Sequence, residues 1–281
     1  MSGPARSVLW RFPEWLGGAV RAMLTGLADF VVYVGGVAGL LWQVADRSWR
    51  AVTGRGMRVR LTHLADQSFR FGVRSVPIVM LVESFIGLIL ALNLAPTLAS
   101  YGQVERVADV VAIGILRELG PLITAVLLSG FAGASIAAEL GAMTEGEEIK
   151  ALRAHALDPI RFLVVPRVIA TAVMMLGLVV VANVCGVLGG LFTGVVILGI
   201  SPSMYLDLTQ DAVGPMDYFT GLSKAFVFGG IIAGIACYEG LNVRGGAEGV
   251  GRATTTTVVK SIVALIGTDC LFTGVFYALG W

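Results

Sequence analysis

Three charged residues, Arg117, Glu118 and Glu139, interrupt an otherwise apolar run from Ile115 to Met143. The run is long enough to cross a bilayer, which takes about 20 residues. A charge at that depth costs at least about 2.5 kcal/mol even on a lenient insertion scale, so such residues are candidates for function. Arg117 and Glu118 are neighbours, about 100° apart on a helix, and cannot form the stacked pair that residues four apart make. Each therefore needs its own partner or a wet cavity. Gly120-Pro121 follows immediately and would kink or open the helix, freeing carbonyls that a cavity or another helix must satisfy. Arg117 and Glu118 are thus expected to line a polar-edged pocket; the alternative is a position near the interface, from which they snorkel to water. Glu83, in the apolar run Val76 to Leu94, either lines the same pocket or hydrogen-bonds across helices. Leu94, Leu98 and Tyr101, toward the other end of that run, line the apolar part of the same route or serve as interfacial anchors.

Bond-making chemistry has no support. His63 and His155 stand alone, without a serine or cysteine pattern to pair with. Cys185, Cys237 and Cys270 lie in apolar segments without metal-ligand spacing and read as small buried hydrophobes. Gly246 to Gly251 superficially resembles a nucleotide-binding loop, but no strand precedes it and the Lys-Ser/Thr that would hold a terminal phosphate and its metal is missing. The expectation is a chain that is not an enzyme, hydrolyses no ATP and takes no cofactor or metal. A net charge of +1 gives no sign of a nucleic-acid partner.

A second charged stretch, Thr144 to Leu157, is too short and polar to cross. Thr144 followed by Glu147 has the spacing of a capping box, so a helix is expected to begin there. Ile149, Leu152 and Ala156 share one face while Glu148, Lys150 and Arg153 turn to water, and Asp158-Pro159 ends the run. This reads as a small amphipathic helix between two spans.

The elements that must position these residues follow from composition. The chain has 281 residues, 56% hydrophobic and 14% charged, against roughly 25% charged in a soluble domain. Apolar runs of about 20 residues make helical spans rather than barrel strands. The class is an all-α integral membrane protein with an N-terminal interfacial helix, five transmembrane helices and a short cytoplasmic helix. Residues 1–67 form the N-terminal cytoplasmic or interfacial segment and 68–281 the transmembrane domain. No cleavable signal pattern opens the sequence, so the first span is expected to act as its own insertion signal. Trp15 to Trp49 is apolar but interrupted by Arg21, Asp29 and Asp46 and flanked on both sides by arginine, which places both ends in the cytoplasm and the segment on the membrane surface; the alternative is an extra span. Val76 to Leu94 ends at Pro96, and Val110 to Met143 returns inward. Phe162 to Ile200 crosses once as a long helix, with Gly186, Gly189, Gly190 and Gly194 as a break or close-packing site. Phe219 to Tyr238 and Ser261 to Trp281 complete the set. The loop Ser201 to Tyr218, with Asp207, Asp211 and Asp217 and no Lys or Arg, reads as external. The N-terminus is then cytoplasmic and the C-terminus periplasmic.

Leu116 to Pro121 (LRELGP), Ala137 to Met143 (AAELGAM), Asp158 to Arg167 (DPIRFLVVPR) and Gly246 to Thr255 (GAEGVGRATT) together resemble the MlaE/YrbE family, the permease subunits of ABC transporters that work with MCE-domain proteins. The resemblance covers roughly Ser68 to the C-terminus. It implies an inner-membrane homodimer that moves phospholipid or another lipid, sits on two cytoplasmic ABC ATPase subunits and meets a periplasmic MCE-domain partner. The pocket at Arg117 and Glu118, with Glu83, Leu94, Leu98 and Tyr101, would then receive a lipid. The helix carrying Thr144, Glu147, Glu148, Ile149, Leu152 and Arg153 would couple to the ATPase, with Ile149 and Leu152 as its apolar anchors. In one place the chain departs from the family, which usually has a basic residue where this sequence has Phe131, so Glu139 is expected to find Arg153 or a backbone partner.

A rival reading is an ion-coupled secondary carrier using Glu83, Glu118 and Glu139 as titratable sites, but five spans offer no inverted repeat. A membrane enzyme lacks a nucleophile or metal cluster. A passive scaffold leaves the intramembrane charges without a reason.

Overall fold

The computed structural model describes the backbone of residues 11–52 and 72–280, with side chains at 23–50 and 72–280. The expected boundary between 67 and 68 lies outside the described residues, as do Arg6, Arg55, Arg58, Arg60 and His63. The described residues form helices joined by short turns: α1 Arg11–Val52, α2 Val76–Ser100, α3 Val104–Glu145, α4 Glu148–Ala154, α5 Ile160–Val196, α6 Pro202–Ala212, α7 Pro215–Leu241 and α8 Gly246–Ala278. Six of them, all but α4 and α6, are long and apolar enough to cross a membrane. The chain is an all-α, multi-pass membrane protein.

Helix α5 is the centre of the bundle, packed along α2 on one side and α7 on another, while α8 rests on α3 and α7. Its run of glycines does not break it. An added Cβ at Gly87 of α2 would stand 1.8 Å from the Gly186 carbonyl oxygen, and one at Gly189 would stand 2.1 Å from that of Ser84. Small residues here let two backbones touch, the usual means of joining helices in lipid, where the hydrophobic effect does not draw them together. Pro96 does not end α2 either, which continues to Ser100. Proline removes one N–H from the ladder, and within an apolar run that loss is smaller than the cost of exposing a whole turn of backbone to lipid.

Helix α1 runs through Asp29 and Asp46 without a break; Asp46 is met one turn on by Arg50 at 2.9 Å. Val37, Leu40 and Val44 are buried, Tyr33 lies edge-on to Tyr238 with centroids 5.3 Å apart, and Lys260 Nζ stands 3.7 Å over the Tyr33 ring. Further along, Leu41 packs on Gly234 and Arg47 pairs with Asp158 at 2.8 Å.

Helix α3 carries two π-helical turns, Ile115–Leu119 and Ser129–Gly133. Such a turn inserts an extra residue, shifts the register of the side chains beyond it and recurs at functional sites. The first holds Arg117 and Glu118.

Candidate functional site

The pocket is built where the first π-turn of α3 meets α7 and α8. Gly221 permits the approach, since a Cβ there would lie 2.1 Å from the Leu116 carbonyl oxygen. On α7, Asp217 and Lys224 are seven residues apart and therefore on one stripe. Each takes one of the two adjacent charges on α3. Arg117 Nε donates to Asp217 Oδ1, and Asp217 Oδ2 accepts from the Gly214 N–H at 2.7 Å, closing the start of α7. Lys224 Nζ donates to Glu118 Oε2 at 2.6 Å and to Thr273 Oγ1 of α8 at 3.0 Å, and lies 2.8 Å from Asp269 Oδ1, one turn before Thr273. Thr273 Oγ1 in turn donates to Glu118 Oε1 at 2.8 Å. Three helices thus share one network.

Burial divides its members. The Lys224 side chain is 1% exposed and that of Asp217 6%, whereas Arg117 and Glu118 are 35% and 37% exposed. The inner residues hold the outer two in place. The outer two face a cavity of about 150 Å³ lined also by Thr220, Thr273, Phe276 and Tyr277. The arrangement offers an anchored cation and an anchored anion side by side in an apolar setting. It can bind and orient a polar group, and among the described residues there is no cluster fit to hold a metal.

Of the other residues expected to line the route, none lines this cavity. Glu83 is fully buried beside the glycine seam between α2 and α5, where Thr124 donates to its Oε1 at 3.3 Å; of the two roles considered for it, the hydrogen bond across helices is the one present. Leu94 and Leu98 pack against Ala91, Ala95, Val107 and Val111, and Tyr101 is exposed at the end of α2. The first two thus pack toward the start of α3.

The fold and pocket make comparison with known proteins informative. Residues 64–275 match the family model described as Permease MlaE. The chain belongs to the MlaE permease family. It is 38% identical over 217 residues to a probable ABC transporter permease protein of Rickettsia prowazekii, covering 77% of this chain and 84% of that one. A probable ABC transporter permease protein of Synechocystis is 36% identical, covering 74% of this chain and 79% of its own length. The intermembrane phospholipid transport system permease protein MlaE of Haemophilus influenzae is 32% identical, covering 77% and 84%.

Two further expectations about this permease are corrected by its structure. The capping box at Thr144 and Glu147 does not form. Helix α3 continues through Thr144, whose hydroxyl donates to the Leu140 carbonyl at 2.7 Å and to that of Gly240 on α7 at 3.0 Å. Glu147 is in the left-handed region at φ 59° and pairs with Lys150 at 2.6 Å, a hydrogen bond that holds its carboxyl below the usual range. The pair is therefore lost as pH falls through that lowered value. Helix α4 begins at Glu148, with Ile149 buried in the permease's own core and Leu152 packed against it. Both are consumed in holding α4 to the bundle, leaving Lys150, Ala151, Arg153 and Leu157 outward. The second correction concerns Glu139, whose partner is Arg167 at 3.2 Å. Arg167 lies on the facing helix and also donates to the Leu163 carbonyl, whereas Arg153 is on the exposed side of α4.

Sequence reasoning missed the inner members of the pocket. Lys224 and Asp269 stand alone inside apolar runs, the same signal that drew attention to Arg117 and Glu118. Asp217 was legible only as an acidic residue of an external loop, because its place at the first turn of α7 depends on where the helix starts.

Proposed function

We infer that this chain is the permease subunit of an Mla-type ABC lipid transporter, moving phospholipid between the inner membrane and a periplasmic MCE-protein partner, with ATP hydrolysed by a separate subunit. The observation that carries the reading is the half-exposed Arg117–Glu118 pair, fixed by buried partners around an open cavity at membrane depth. We assign lipid headgroup binding to that cavity. Glu83, Leu94, Leu98 and Tyr101 belong to the support and the rim of the route rather than to the headgroup site.

Five crossings, α2, α3, α5, α7 and α8, with α1 at the cytoplasmic interface, account best for the contacts of α1. Tyr33 and Arg47 are about 21 Å apart along a helix. Yet Tyr33 meets Tyr238 at the end of α7, and Arg47 meets Asp158 in the turn before α5. A helix that touches the same end of the bundle at both places runs across it rather than through the bilayer. Lys150, Arg153, Arg161, Arg244 and Arg252 cluster at that end and Asp207 and Asp211 at the other, which supports a cytoplasmic N-terminus and periplasmic C-terminus. Residues 1–67 would then be the interfacial segment and 68–281 the permease domain, acting as a homodimer. The outward face of α4 is the coupling surface for the ATPase, seated by Ile149 and Leu152.

The test is reconstitution of the permease with its ATPase and mass spectrometry of bound lipid. Arg117→Ala is expected to lose bound phospholipid and transport while retaining the ATPase; unchanged lipid and transport would overturn the assignment. For coupling, Ala151→Glu is expected to release the ATPase in a pull-down. For topology, single-cysteine labelling should find position 155 on the cytoplasmic side and position 211 outside.

A further inference from the structure

The charges around the cavity do not cancel. Arg117 and Lys224 supply two positive groups; Asp217, Glu118 and Asp269 supply three negative ones. From Val110 to Phe131 on α3, from Pro215 to Tyr238 on α7, and from Ser261 to Ala278 on α8, no other Asp, Glu, Lys or Arg occurs. The excess carboxylate is on one side, since Glu118 and Asp269 both contact the single ammonium of Lys224. The other side is a one-to-one pair in which Asp217 takes only Arg117 Nε, and the terminal nitrogens of this cavity-lining side chain have no hydrogen-bond partner among the described residues. The cavity therefore has a cationic pole at Arg117 and, next to it, an anionic pole at Glu118. Beside these poles, the wall contains the rings of Phe276 and Tyr277, with Tyr277 86% exposed. A carboxylate beside an exposed aromatic ring such as Tyr277 is the chemistry that takes an ammonium, and a guanidinium with N–H donors left over from its ion pair is the chemistry that takes a phosphate.

We propose that the cavity selects zwitterionic phospholipid headgroups, with the phosphate on the free edge of Arg117 and the ammonium on Glu118, backed by Asp269 and covered by Tyr277. This rests on the assignment of the cavity to lipid headgroups and names the class of lipid. An anionic lipid with an uncharged glycerol headgroup satisfies Arg117 but leaves the excess carboxylate uncompensated in an apolar setting, where an unpaired charge is costly. A zwitterion satisfies both poles.

The experiment is competition between phosphatidylethanolamine and phosphatidylglycerol of identical acyl chains for the purified permease–ATPase complex, read by native mass spectrometry and by transport from vesicles of each composition. The wild type should retain the zwitterionic lipid roughly tenfold over the anionic one, the scale of an ammonium held by a ring and a partly screened carboxylate. Asp269→Asn removes the excess charge, and Tyr277→Leu removes the ring; each should bring the ratio toward one while lipid is still bound. Phosphatidylcholine, whose ammonium cannot donate a hydrogen bond, should compete well if the ring and charge dominate. Equal binding of the two headgroups by the wild type, or a ratio unmoved by Asp269→Asn, overturns the proposal. So does a ratio near one accompanied by pH-dependent binding of both lipids, which would mean that a proton, and not the headgroup, neutralises Glu118 and Asp269. Failure of the underlying assignment looks different: Arg117→Ala would then leave the total bound lipid unchanged, whatever the headgroup ratio.

Discussion

Glu118 and Glu83 are both carboxylates on apolar helices, and their surroundings are opposites. Glu118 is half-exposed to a cavity and tied to an ammonium and a hydroxyl on two other helices. Glu83 is sealed beside a seam where α2 and α5 touch backbone to backbone, with one threonine hydroxyl on one oxygen. The contrast separates a carboxylate enclosed by packing from one accompanied by counter-charge and open space, and only the second has the setting that a polar ligand requires. The seam is a backbone-to-backbone contact that joins two spans. The pocket is a place where α3, α7 and α8 leave room and fill its edges with charge.

The largest effect is expected where the seam itself is broken. Gly87→Val would drive a branched side chain into the Gly186 carbonyl, which stands 1.8 Å from where even a Cβ would lie. Because the obstacle is backbone, neither helix can yield locally, and the cost exceeds the about 1–3 kcal/mol typical of overpacking that neighbouring side chains can relieve, enough to part the two spans. Loss of monodisperse protein on size exclusion is the expected outcome. Gly177→Ala on the facing helix α5, with nothing within 4 Å, should be tolerated. Equal behaviour of the two variants would mean that the seam is not a close contact.

Next comes removal of the pocket's buried cation. Lys224→Met leaves Glu118 and Asp269 facing each other without compensation, and breaking a buried pair by deleting one partner costs about 3–5 kcal/mol. The thermal transition should fall and transport should cease. Adding Asp269→Asn to that variant should recover part of the stability without recovering transport, because one carboxylate is then neutral but Glu118 has still lost its anchor. Full recovery of transport would show that the network serves stability alone.

Glu118→Gln is a milder change. The amide keeps an acceptor for Thr273 and loses the charge at the anionic pole, so the fold should persist and transport should fall roughly tenfold, the scale of a charge-assisted contact of 1.5 kcal/mol. A variant with wild-type transport would return Glu118 to a snorkelling role.

The long helices and the special status of Arg117 and Glu118 were legible in the sequence because hydropathy and charge are one-dimensional properties. The charges' partners were not, since Asp217, Lys224 and Asp269 lie about 100 residues or more away in the chain and are brought in by helix packing. Local signals failed where tertiary contacts outbid them. Thr144 and Glu147 have capping-box spacing, but Thr144 is drawn to the Gly240 carbonyl, and the helix it was to begin starts one turn later. Ile149 and Leu152 form an apolar stripe as expected, yet periodicity cannot say whether such a stripe faces its own core or a partner, and here it faces its own. The glycines of α5 illustrate the same limit: their spacing allows either a break or a contact, and the choice depends on Gly87 and Ser84 on another helix.

The smallest effect is expected for Glu83→Gln, and it is the sharpest test of the contrast because the chemical change is the one made at Glu118. Glutamine matches the shape of glutamate and retains a carbonyl oxygen for Thr124, so the one hydrogen bond that Glu83 makes survives. Its NH₂ group takes the place of Oε2, which has no partner, so no existing contact is lost. The expected outcome is transport and thermal stability close to wild type. Glu83→Leu should behave differently, losing about 1–3 kcal/mol because the buried Thr124 hydroxyl is left without its acceptor. Should Glu83→Gln depress transport as strongly as Glu118→Gln while leaving the thermal transition unmoved, the seam would carry a charge that the transport cycle uses, and the separation between a packing carboxylate and a functional one would fail.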